Sequence, residues 1–467
     1  MGSTGSPSSV AALATSGRPL PIRTPRSATA TDDSPAAAAA EEPVSPTARL
    51  MEALYIVVTV GLGCPVNLPV FSAGIATQVA RYPRFCSIQV TDGCKNPRWE
   101  RTAVNVDDHM IVPTLDPVAV EADPDRAVED YVASLPELPM DRSRPLWEFH
   151  FLDFPTSEAT STVVIRVHHS LGDGTSLIML LLASARSASD PTRLPTMREL
   201  TVRTGAIYKP RRRQPPSAGA LAAFAAWFFS YLVLAWNTVV DVASFAATAA
   251  FLGDPHTLFR RVDHDVAFIS PRRFVRRSLS LDDVRFIKNA MNYTVNDVLV
   301  GATSAALSQY YFRKSGYSRT SKQCLRSILF VNTRPTTSLQ AYVNMIESGN
   351  NDDVAWGNQL GYILLPFHLA MHDDPLAYVR KAKKTVDRKK SSLEVIFTYK
   401  MTEFFLKMLG LKALVVHYQS YNNTLKVILS VDEEVFPDYT ELLDDFVESF
   451  GRIREAASRL STSIKKE

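Results

Sequence analysis

The sequence predicts an α/β protein of two lobes, and three observations support this fold class. The chain has 467 residues, of which 46% are hydrophobic, so it can bury more than one core of ordinary domain size. Segments that favour strands and segments that favour helices alternate in its first half. A long, almost uncharged apolar segment then separates this half from a second series of helices and strands.

Four regions are expected along the chain. Residues 1–47 are rich in Ala, Ser, Thr and Pro and are predicted to be disordered, because so few large apolar side chains cannot offset the entropy lost on ordering. An N-terminal lobe over 48–205 follows, then an apolar helical segment over 206–255 and a C-terminal lobe over 256–467. The first 31 residues contain arginines and no acidic residue, which also resembles a transit peptide.

The first lobe is expected to alternate helices and strands. Residues 125–135 have the pattern of a helix, and residues 145–152 have that of a strand. The β-branched residues over 162–167 predict a buried strand, and the nearly continuous apolar run over 175–185 is long enough for a buried helix. The residues between these last two elements therefore lie where a strand gives way to a helix.

The second lobe begins with two predicted helices whose first turns carry capping residues. Ser280 precedes Asp283, and Thr294 precedes Asp297, with the spacing of a capping box. Asn296 then falls in a first helical turn, where free backbone N–H groups favour developing negative charge. Strands are predicted over 325–331, 360–366 and 425–431, and a helix is predicted at the tail, where apolar residues recur at helical spacing over 442–460.

The apolar segment is expected to contact a membrane. Residues 214–240 carry no charge and are long enough to cross a hydrocarbon layer of about 30 Å, so the segment either spans a membrane or lies on it. If it spans, the arginines at 211–213 mark the cytoplasmic flank. The alternative is a helical hairpin packed in a protein groove, because the segment is rich in alanine and continues past a lone Asp241.

Composition excludes several classes of protein. The formal net charge of +3 is too near balance to predict nucleic-acid binding. The four cysteines form no CxxC pair, which argues against a disulfide scaffold and against the usual zinc and redox sites. Basic residues cluster over 380–390, and this cluster predicts either a solvated face or contact with anionic lipid or a nucleotide phosphate.

The segment RVHHSLGDG places ionisable side chains at the change from strand to helix. A histidine can take a proton from an alcohol near neutral pH and pass it to a leaving group, as acyl transfer requires. Asp173 is placed to fix the imidazole's surroundings, and Gly172 and Gly174 leave room for backbone and substrate to approach. The alternative is a purely structural histidine pair. No HExxH motif supports a zinc site, and no GxSxG motif supports a serine hydrolase.

HHSLGDG resembles the HHxxxDG signature of acyl-CoA-dependent acyltransferases, and residues 42–467 resemble the plant wax ester synthase/diacylglycerol acyltransferase family. The further matching segments are EPVSPTARL, RWERTAVNVDDHM, PMDRSRPLWEFHFL, VNDVLVGATSAAL, VNTRP, WGNQLGYILLPFHL and HYQSYNNTLKVILSVDEEVFPD. The resemblance implies a two-lobed fold like that of chloramphenicol acetyltransferase. It also implies a tunnel between the lobes, where acyl-CoA meets a long-chain alcohol or diacylglycerol. Acyl-CoA is then a co-substrate, and no cofactor or metal is expected.

The resemblance also assigns roles to residues. His169 matches the general base, which would deprotonate the acceptor hydroxyl as its oxygen attacks the thioester. Asp173 is mainly architectural in the family, and we expect it to pair with Arg334. Asn296 matches the family's ND motif and is expected to help hold the reacting carbonyl or the acceptor. The catalytic candidates are His168, His169, Asp173 and Asn296, and the substrate-binding candidates are Trp147, Gly174, Arg334, Gly357 and Asn358. For Trp147 the alternative is a core residue, and for Gly357 and Asn358 it is a simple turn.

One departure from the family affects the functional prediction. Family members usually carry a few dozen residues, including an SNVxGP segment, where this chain passes from LGLKA almost directly to LVVHYQSY. In the related fold this region supplies a crossover strand and part of the substrate channel. The alternative function is therefore a lipid-binding or acyl-CoA-binding protein with little or no turnover. An altered splice or a gene-model error would also explain the gap.

The nearest enzyme rivals lack parts of this pattern. Soluble plant alcohol acyltransferases carry a DFGWG motif, which is missing here, and peptide-forming condensation domains normally lie beside carrier domains, for which this chain has no room. The resemblance places the protein at the endoplasmic reticulum membrane, with the plasma membrane as a second site and the plastid as the less favoured one. Acyl chain length, acceptor preference and oligomeric state are not predicted.

Overall fold

The computed structural model describes most of the chain from Glu42 onward. The described residues are 42–45, 48–49, 51, 54–91, 97–187, 189–190, 192–195, 220–250, 258–259, 272–316, 320–334, 338–348, 356–400 and 414–464. Residues 1–41 lie outside this set, so their predicted disorder stays a prediction. Residues from Glu42 to the C-terminus form one compact unit.

The strands are β1 Glu42–Pro43, β2 Tyr55–Leu62, β3 Ser87–Val90, β4 Arg98–Arg101, β5 Met110–Ile111, β6 Trp147–Leu152, β7 Ser161–His168, β8 Arg272–Ser280, β9 Thr320–Asn332, β10 Leu360–Ala370, β11 Leu414–Tyr421 and β12 Thr424–Asp432. The helices are α1 Leu68–Thr77, α2 Pro117–Ala122, α3 Pro124–Ser134, α4 Gly174–Ser184, α5 Ala220–Ala250, α6 Leu281–Met291, α7 Val295–Ser315, α8 Leu339–Ser348, α9 Leu376–Lys390 and α10 Tyr439–Ile464.

Strand β1 corrects the expected end of the disordered N-terminus. Glu42 and Pro43 pair with β4, and Val44 is buried in the N-terminal core. The folded part of the chain therefore begins before residue 48, because the side chain of Val44 already packs in the core.

A four-stranded sheet carries the N-terminal lobe. Its strand order is β2-β7-β6-β5, and β7 pairs antiparallel with both β2 and β6. Because side chains alternate between the faces of a strand, Val163, Ile165 and Val167 of β7 lie on one face, where they join a large apolar cluster with α4 and α8. On the opposite face, Arg166 pairs with Glu148 at 3.1 Å. One face thus forms the main apolar core under the histidine motif.

The C-terminal lobe packs helices on two small antiparallel sheets. Strands β11-β12-β8 form one, and β10 pairs with β9 in the other. The Ser280 and Thr294 caps are present, and Thr294 with Asp297 forms a complete capping box. The centre of this lobe is α7, where Gly301 allows close packing, since a Cβ there would lie 2.7 Å from the backbone of Val379.

Helix α5 is a continuous helix of 31 residues. The hairpin alternative is therefore wrong over residues 220–250, because no turn interrupts them. Residues Phe224–Thr248 are long and apolar enough to cross a membrane by length and composition. Residues 206–219 and most of 251–271 lie outside the described set.

Candidate active site

The histidine motif lies where β7 ends and α4 begins, as predicted. Strand β7 ends at His168, and the backbone N–H of His169 donates to the carbonyl of Leu54 at 2.9 Å. Helix α4 starts at Gly174, with Asp173 as its N-cap: Oδ1 of Asp173 accepts from the backbone N–H of Ser176 at 3.0 Å. The ionisable side chains are thus fixed between two rigid elements.

Asn358 of the C-terminal lobe holds His169 by two hydrogen bonds. The side-chain Nδ2 of Asn358 donates to the backbone carbonyl of His169 at 2.9 Å, which turns its Oδ1 toward the imidazole. Oδ1 lies 3.0 Å from Nδ1 of His169 and can only accept, so Nδ1 carries the proton. Nε2 of His169 is therefore the nitrogen with a free lone pair, which a general base needs.

Burial keeps His169 neutral. Desolvation lowers the pKa of His169 from its usual value, and the Asp173 charge and the Asn358 hydrogen bond offset this only in part. The side chain is nevertheless half-buried, not sealed from solvent. A neutral imidazole with an accessible edge can accept a proton near neutral pH.

A buried ion pair joins the two lobes beside the imidazole. Nη1 of Arg334 lies 2.7 Å from Oδ2 of Asp173, which confirms the predicted pair. The same oxygen accepts from the backbone N–H of Gln359 at 3.1 Å. Arg334 also donates to the carbonyl of Gly357. Asp173 thus caps α4 with one oxygen and ties the C-terminal lobe to it with the other.

Trp356 is a site residue that the sequence reasoning missed. Its indole N–H donates to the carbonyl of Leu171 at 2.6 Å, and its ring lies over Gly172, where a Cβ would meet it at 3.3 Å. Its ring also packs on Tyr82, with centroids 4.2 Å apart. A tryptophan next to a glycine in WGNQ was the available signal. Trp356 and Gly172 therefore form a second contact between the lobes.

Gly357 follows this tryptophan with a backbone φ of +104°. Side-chain-bearing residues rarely adopt this conformation, so glycine is required there. Gly357 and Asn358 were predicted to contact substrate or to form a turn. The structure gives them a part in holding His169 and, through Arg334, Asp173, and their substrate contact stays a prediction.

His168 serves the structure of the strand end. It is 1% exposed, its Nδ1 lies 2.6 Å from the hydroxyl of Ser170, and its ring meets the edge of Tyr55. Its ring is therefore enclosed by protein, unlike that of His169.

Trp147 is a core residue, and its predicted substrate contact is wrong. Its side chain is 0% exposed, its indole N–H donates to the carbonyl of Phe85 at 2.9 Å, and His109 stacks on its ring. A side chain enclosed on every side cannot touch a ligand.

The remaining candidates differ in position. Gly174 opens α4, and a Cβ there would meet nothing within 4 Å, so space for a ligand is present. Asn296 is exposed in the first turn of α7, and no hydrogen bond described for this structure joins it to the His169 group. Its predicted catalytic role stays a prediction.

The basic cluster over 380–390 lies on α9 and is largely occupied by protein carboxylates. Lys383 pairs with Asp387 at 2.7 Å, and Arg388 and Lys389 both pair with Asp241 of α5, at 2.7 and 2.9 Å. Lys389 is buried, so the solvated-face interpretation is wrong for this residue. These three cations are engaged within the protein.

An apolar cavity lies in the N-terminal core between the sheet and α4. Its volume is about 20 Å³, which is room for one water-sized molecule. Its lining is apolar throughout: Val58, Val79, Phe85, Phe149, Ile165, Val167, Leu177, Leu180 and Leu181. Ile165 and Val167 of β7 precede His169 at alternate positions, so the cavity lies close to the strand end that His169 follows.

Comparison with known proteins identifies the family. Residues 67–299 match a family model described as the wax ester synthase/diacylglycerol acyltransferase catalytic domain, and residues 356–415 and 411–454 match the WS/DGAT C-terminal domain. Wax ester synthase/diacylglycerol acyltransferase 11 of Arabidopsis thaliana is 38% identical over 479 residues, covering 89% of this chain and 95% of the relative. This chain belongs to the wax ester synthase/diacylglycerol acyltransferase family. Wax ester synthase/diacylglycerol acyltransferase 5 of the same species is 36% identical, and the match covers 89% of this chain and 93% of the relative.

Solved structures confirm the fold class. The wax ester synthase/diacylglycerol acyltransferase from Marinobacter aquaeolei VT8 superposes with a TM-score of 0.53 at 15% identity, covering 89% of this chain and 100% of that one. The first condensation domain of the CDA synthetase superposes with a TM-score of 0.55 at 13% sequence identity, covering 90% of this chain and 96% of that one. At such low identities the likeness is one of fold: the two-lobed fold of chloramphenicol acetyltransferase.

The C-terminal match breaks where the sequence departs from the family. The two matched stretches meet at residues 411–415, next to the site of the absent SNVxGP segment. Residues 401–413 are not described by the structure. Among the described residues, every strand of the β2-β7-β6-β5 sheet comes from the N-terminal lobe, and none crosses from the other.

Proposed function

We propose that this protein transfers a fatty acyl group from acyl-CoA to a hydroxyl, with His169 as the general base. The observation that carries the proposal is the hydrogen bond from Nδ1 of His169 to Oδ1 of Asn358. Because this bond fixes the tautomer, Nε2 can take the proton of the acceptor hydroxyl. Family membership supports the donor and the reaction.

One histidine is enough for both proton transfers of this reaction. Nε2 of His169 takes the hydroxyl proton while the oxygen forms a bond to the thioester carbonyl carbon. When the tetrahedral intermediate collapses, the carbon–sulfur bond breaks and the CoA sulfur leaves with its electron pair. The imidazolium returns the proton to this sulfur, so ester and free CoA are the products and His169 is neutral again.

Long-chain alcohols and diacylglycerol are the proposed acceptors, which would give wax esters and triacylglycerol. The names of the Arabidopsis relatives support both acceptors. The apolar cavity beneath α4 supports an apolar substrate tail, because its lining offers no polar partner. We propose that the terminal methyl group of the acyl chain enters this cavity, and that the apolar side chains of the lining move apart to admit more of the chain.

The proposed place of action is a membrane surface, that of the endoplasmic reticulum first and the plasma membrane second. Both the expected acceptors and the expected products are water-insoluble. The exposed aromatic residues of α5 support membrane association.

The test measures CoA release by full-length protein with a long-chain acyl-CoA and either hexadecanol or diacylglycerol. His169→Ala should lower kcat about 10² to 10⁴-fold, because a general base contributes that much. His368→Ala, which changes an exposed histidine on β10, is the matched control and should keep parental activity. Equal activity of His169→Ala and the parent would overturn the mechanism.

A second candidate is a protein that binds acyl-CoA or lipid with little or no turnover. The break in the family match at residues 411–415 favours it, because the absent segment would line part of the channel. The same assay separates the two candidates. Saturable acyl-CoA binding without CoA release by the parent protein would establish the second.

A further inference from the structure

The exposed surface of α5 is concentrated in its first half. Over residues 221–236 most large side chains face solvent, with Leu221 at 86% and Trp236 at 70% exposure, whereas Leu234 is buried. The exposed group comprises Leu221, Phe224, Trp227, Phe228, Phe229, Tyr231, Leu232, Val233 and Trp236. Successive positions lie about 100° apart around a helix, so this set covers an arc of about 240°, and Ser230 and the buried Leu234 lie on the remaining face. An exposed apolar arc of this width requires an apolar environment.

The second half of α5 is held on the C-terminal lobe by polar contacts. Asn237 donates to the carbonyl of Ser391 at 3.1 Å, and the hydroxyl of Thr238 accepts from the backbone N–H of Leu393 at 3.0 Å. Asp241 is 1% exposed and pairs with Lys389 at 2.9 Å. The protein therefore covers one face of this half of the helix, while Val239 on another face is exposed.

The free half is too short to be a transmembrane span. Residues 221–236 extend about 24 Å at 1.5 Å per residue. A hydrocarbon layer measures about 30 Å and needs about 20 residues of helix. Extending the span toward the C-terminus would draw Asn237 and Asp241 out of their contacts with the lobe. Extending it toward the N-terminus would bring in Gln214, two prolines and Ser217, which favour neither a helix nor a hydrocarbon environment.

The arrangement of the lobes also excludes a single crossing. The N-terminal lobe precedes α5 in sequence and the rest of the C-terminal lobe follows it, yet Asp173 and Arg334 form an ion pair between them. A crossing by α5 would put the two lobes on opposite sides unless residues 196–219 or residues 251–271 crossed back. Both stretches are too polar to cross: the first contains Arg198, Glu199, Arg203, Lys209, Arg211, Arg212 and Arg213, and the second contains Asp254, Arg260, Arg261, Asp263 and Asp265.

We infer that α5 is a monotopic anchor, whose first half lies in the plane of one membrane leaflet with both lobes on the same side. Both ends of this half must stay at the water interface. The Asp241 contacts hold the following turn on the protein, and the arginines at 211–213 in the preceding sequence are of the residue type that favours anionic headgroups. This inference rests on the proposed membrane association and is independent of the proposed acyl transfer.

Vesicle flotation tests the lipid contact. Full-length protein should float with vesicles of phosphatidylcholine and phosphatidylserine. Phe229→Asp should lower the bound fraction about 10-fold or more, because a carboxylate would enter the leaflet. Val118→Asp alters an exposed apolar residue of similar accessibility on α2 and should bind as the parent does. Absence of flotation, or a parent oligomer that Phe229→Asp dissociates without vesicle binding, would overturn the inference.

Cysteine labelling in sealed vesicles tests the sidedness. The exposed Cys64 reports on the N-terminal lobe, and Lys390→Cys reports on the C-terminal lobe, with the other cysteines changed to serine. A membrane-impermeant maleimide added outside should label both without detergent. Protection of either site until detergent is added means that the helix crosses, which overturns the inference.

The depths of two tryptophans distinguish an in-plane helix from an inserted one. Trp227→Phe leaves Trp236 as the tryptophan of the free half, and Trp236→Phe leaves Trp227. Lipids brominated at different depths should quench the two variants with the same depth dependence. A helix normal to the membrane would separate the two depths by about 14 Å, which refutes the in-plane arrangement.

CoA release in detergent micelles keeps this inference separate from the catalytic one. If His169→Ala is inactive in micelles while its flotation equals that of the parent, both proposals stand. If parent and His169→Ala release CoA equally in micelles, the catalytic proposal fails and the anchor remains.

Discussion

Replacing Asn358 with alanine tests how the C-terminal lobe controls His169. The change removes two hydrogen bonds, one to Nδ1 of His169 at 3.0 Å and one to its backbone carbonyl at 2.9 Å. A neutral hydrogen bond contributes about 0.5 to 1.5 kcal/mol, so losing the Nδ1 bond alters the tautomer ratio about 2- to 13-fold. Loss of ring orientation adds to this, up to the limit of about 10² to 10⁴-fold for losing the base altogether. We expect kcat to fall about 10- to 100-fold with KM little changed.

The pH dependence gives the same experiment a second readout. Burial lowers the pKa of His169, so the acid limb of kcat/KM for the parent should lie below about pH 6.5, the ordinary histidine value. The Asn358 hydrogen bond raises this pKa, so Asn358→Ala should move the limb to lower pH. Asn358→Asp places a carboxylate beside Nδ1 and should move it to higher pH, because a nearby negative charge favours the imidazolium.

The assay is CoA release across pH, with melting temperature as a check on folding. Asn289→Ala, which changes an exposed asparagine on α6, is the control and should match the parent in both. Two results would refute the assignment of Asn358 to the imidazole. One is a kcat of Asn358→Ala equal to that of the parent, and the other is an acid limb of kcat/KM that lies at the same pH in the parent, Asn358→Ala and Asn358→Asp.

Three further expectations concern the ion pair, the cavity and the missing segment. Asp173→Asn should lower the free energy of unfolding by about 3 to 5 kcal/mol in chemical denaturation, because Arg334 is left buried without its charge partner. An inactive variant of unchanged stability would instead indicate that Asp173 has a direct chemical role. Leu180→Phe fills the cavity beneath α4 and should shift CoA release toward shorter acyl-CoA, whereas an equal loss for all chain lengths would argue against an acyl-chain site there. Grafting the family segment between Lys412 and Ala413 should raise turnover with little change in acyl-CoA affinity, because the graft would complete the channel while His169 is already in place. Full ester synthesis by the ungrafted protein would refute the expectation that the segment is needed.

Much of the fold could be predicted because its signals are local. The β-branched run before the histidines and the apolar run after them are β7 and α4. The Thr294 capping box is likewise formed by residues three apart. Strand β11 was not predicted, because its burial depends on pairing with β12 and its own residues are largely exposed or half-buried. The ends of α5 were also missed, since apolar residues alone do not mark where protein contacts begin.

The sequence by itself determined which residues can do the chemistry. The HHSLGDG segment specifies a histidine at a strand end, an aspartate that can cap the following helix, and glycines that allow close approach. These features depend on residue type and spacing over a few positions. They also sufficed to predict the Asp173–Arg334 pair once the family's motifs were considered together.

Only the tertiary structure decided how that chemistry is held. Asn358 fixes the tautomer of His169 although the two residues are 189 positions apart in the sequence. Trp356 lies over Gly172 across a similar sequence separation. The same packing enclosed Trp147 in the core and bound the second half of α5 through Asp241. A sequence read along its length cannot show which side chains approach from another lobe, because hydrogen-bond partners and burial are set by the distances that folding creates between remote residues.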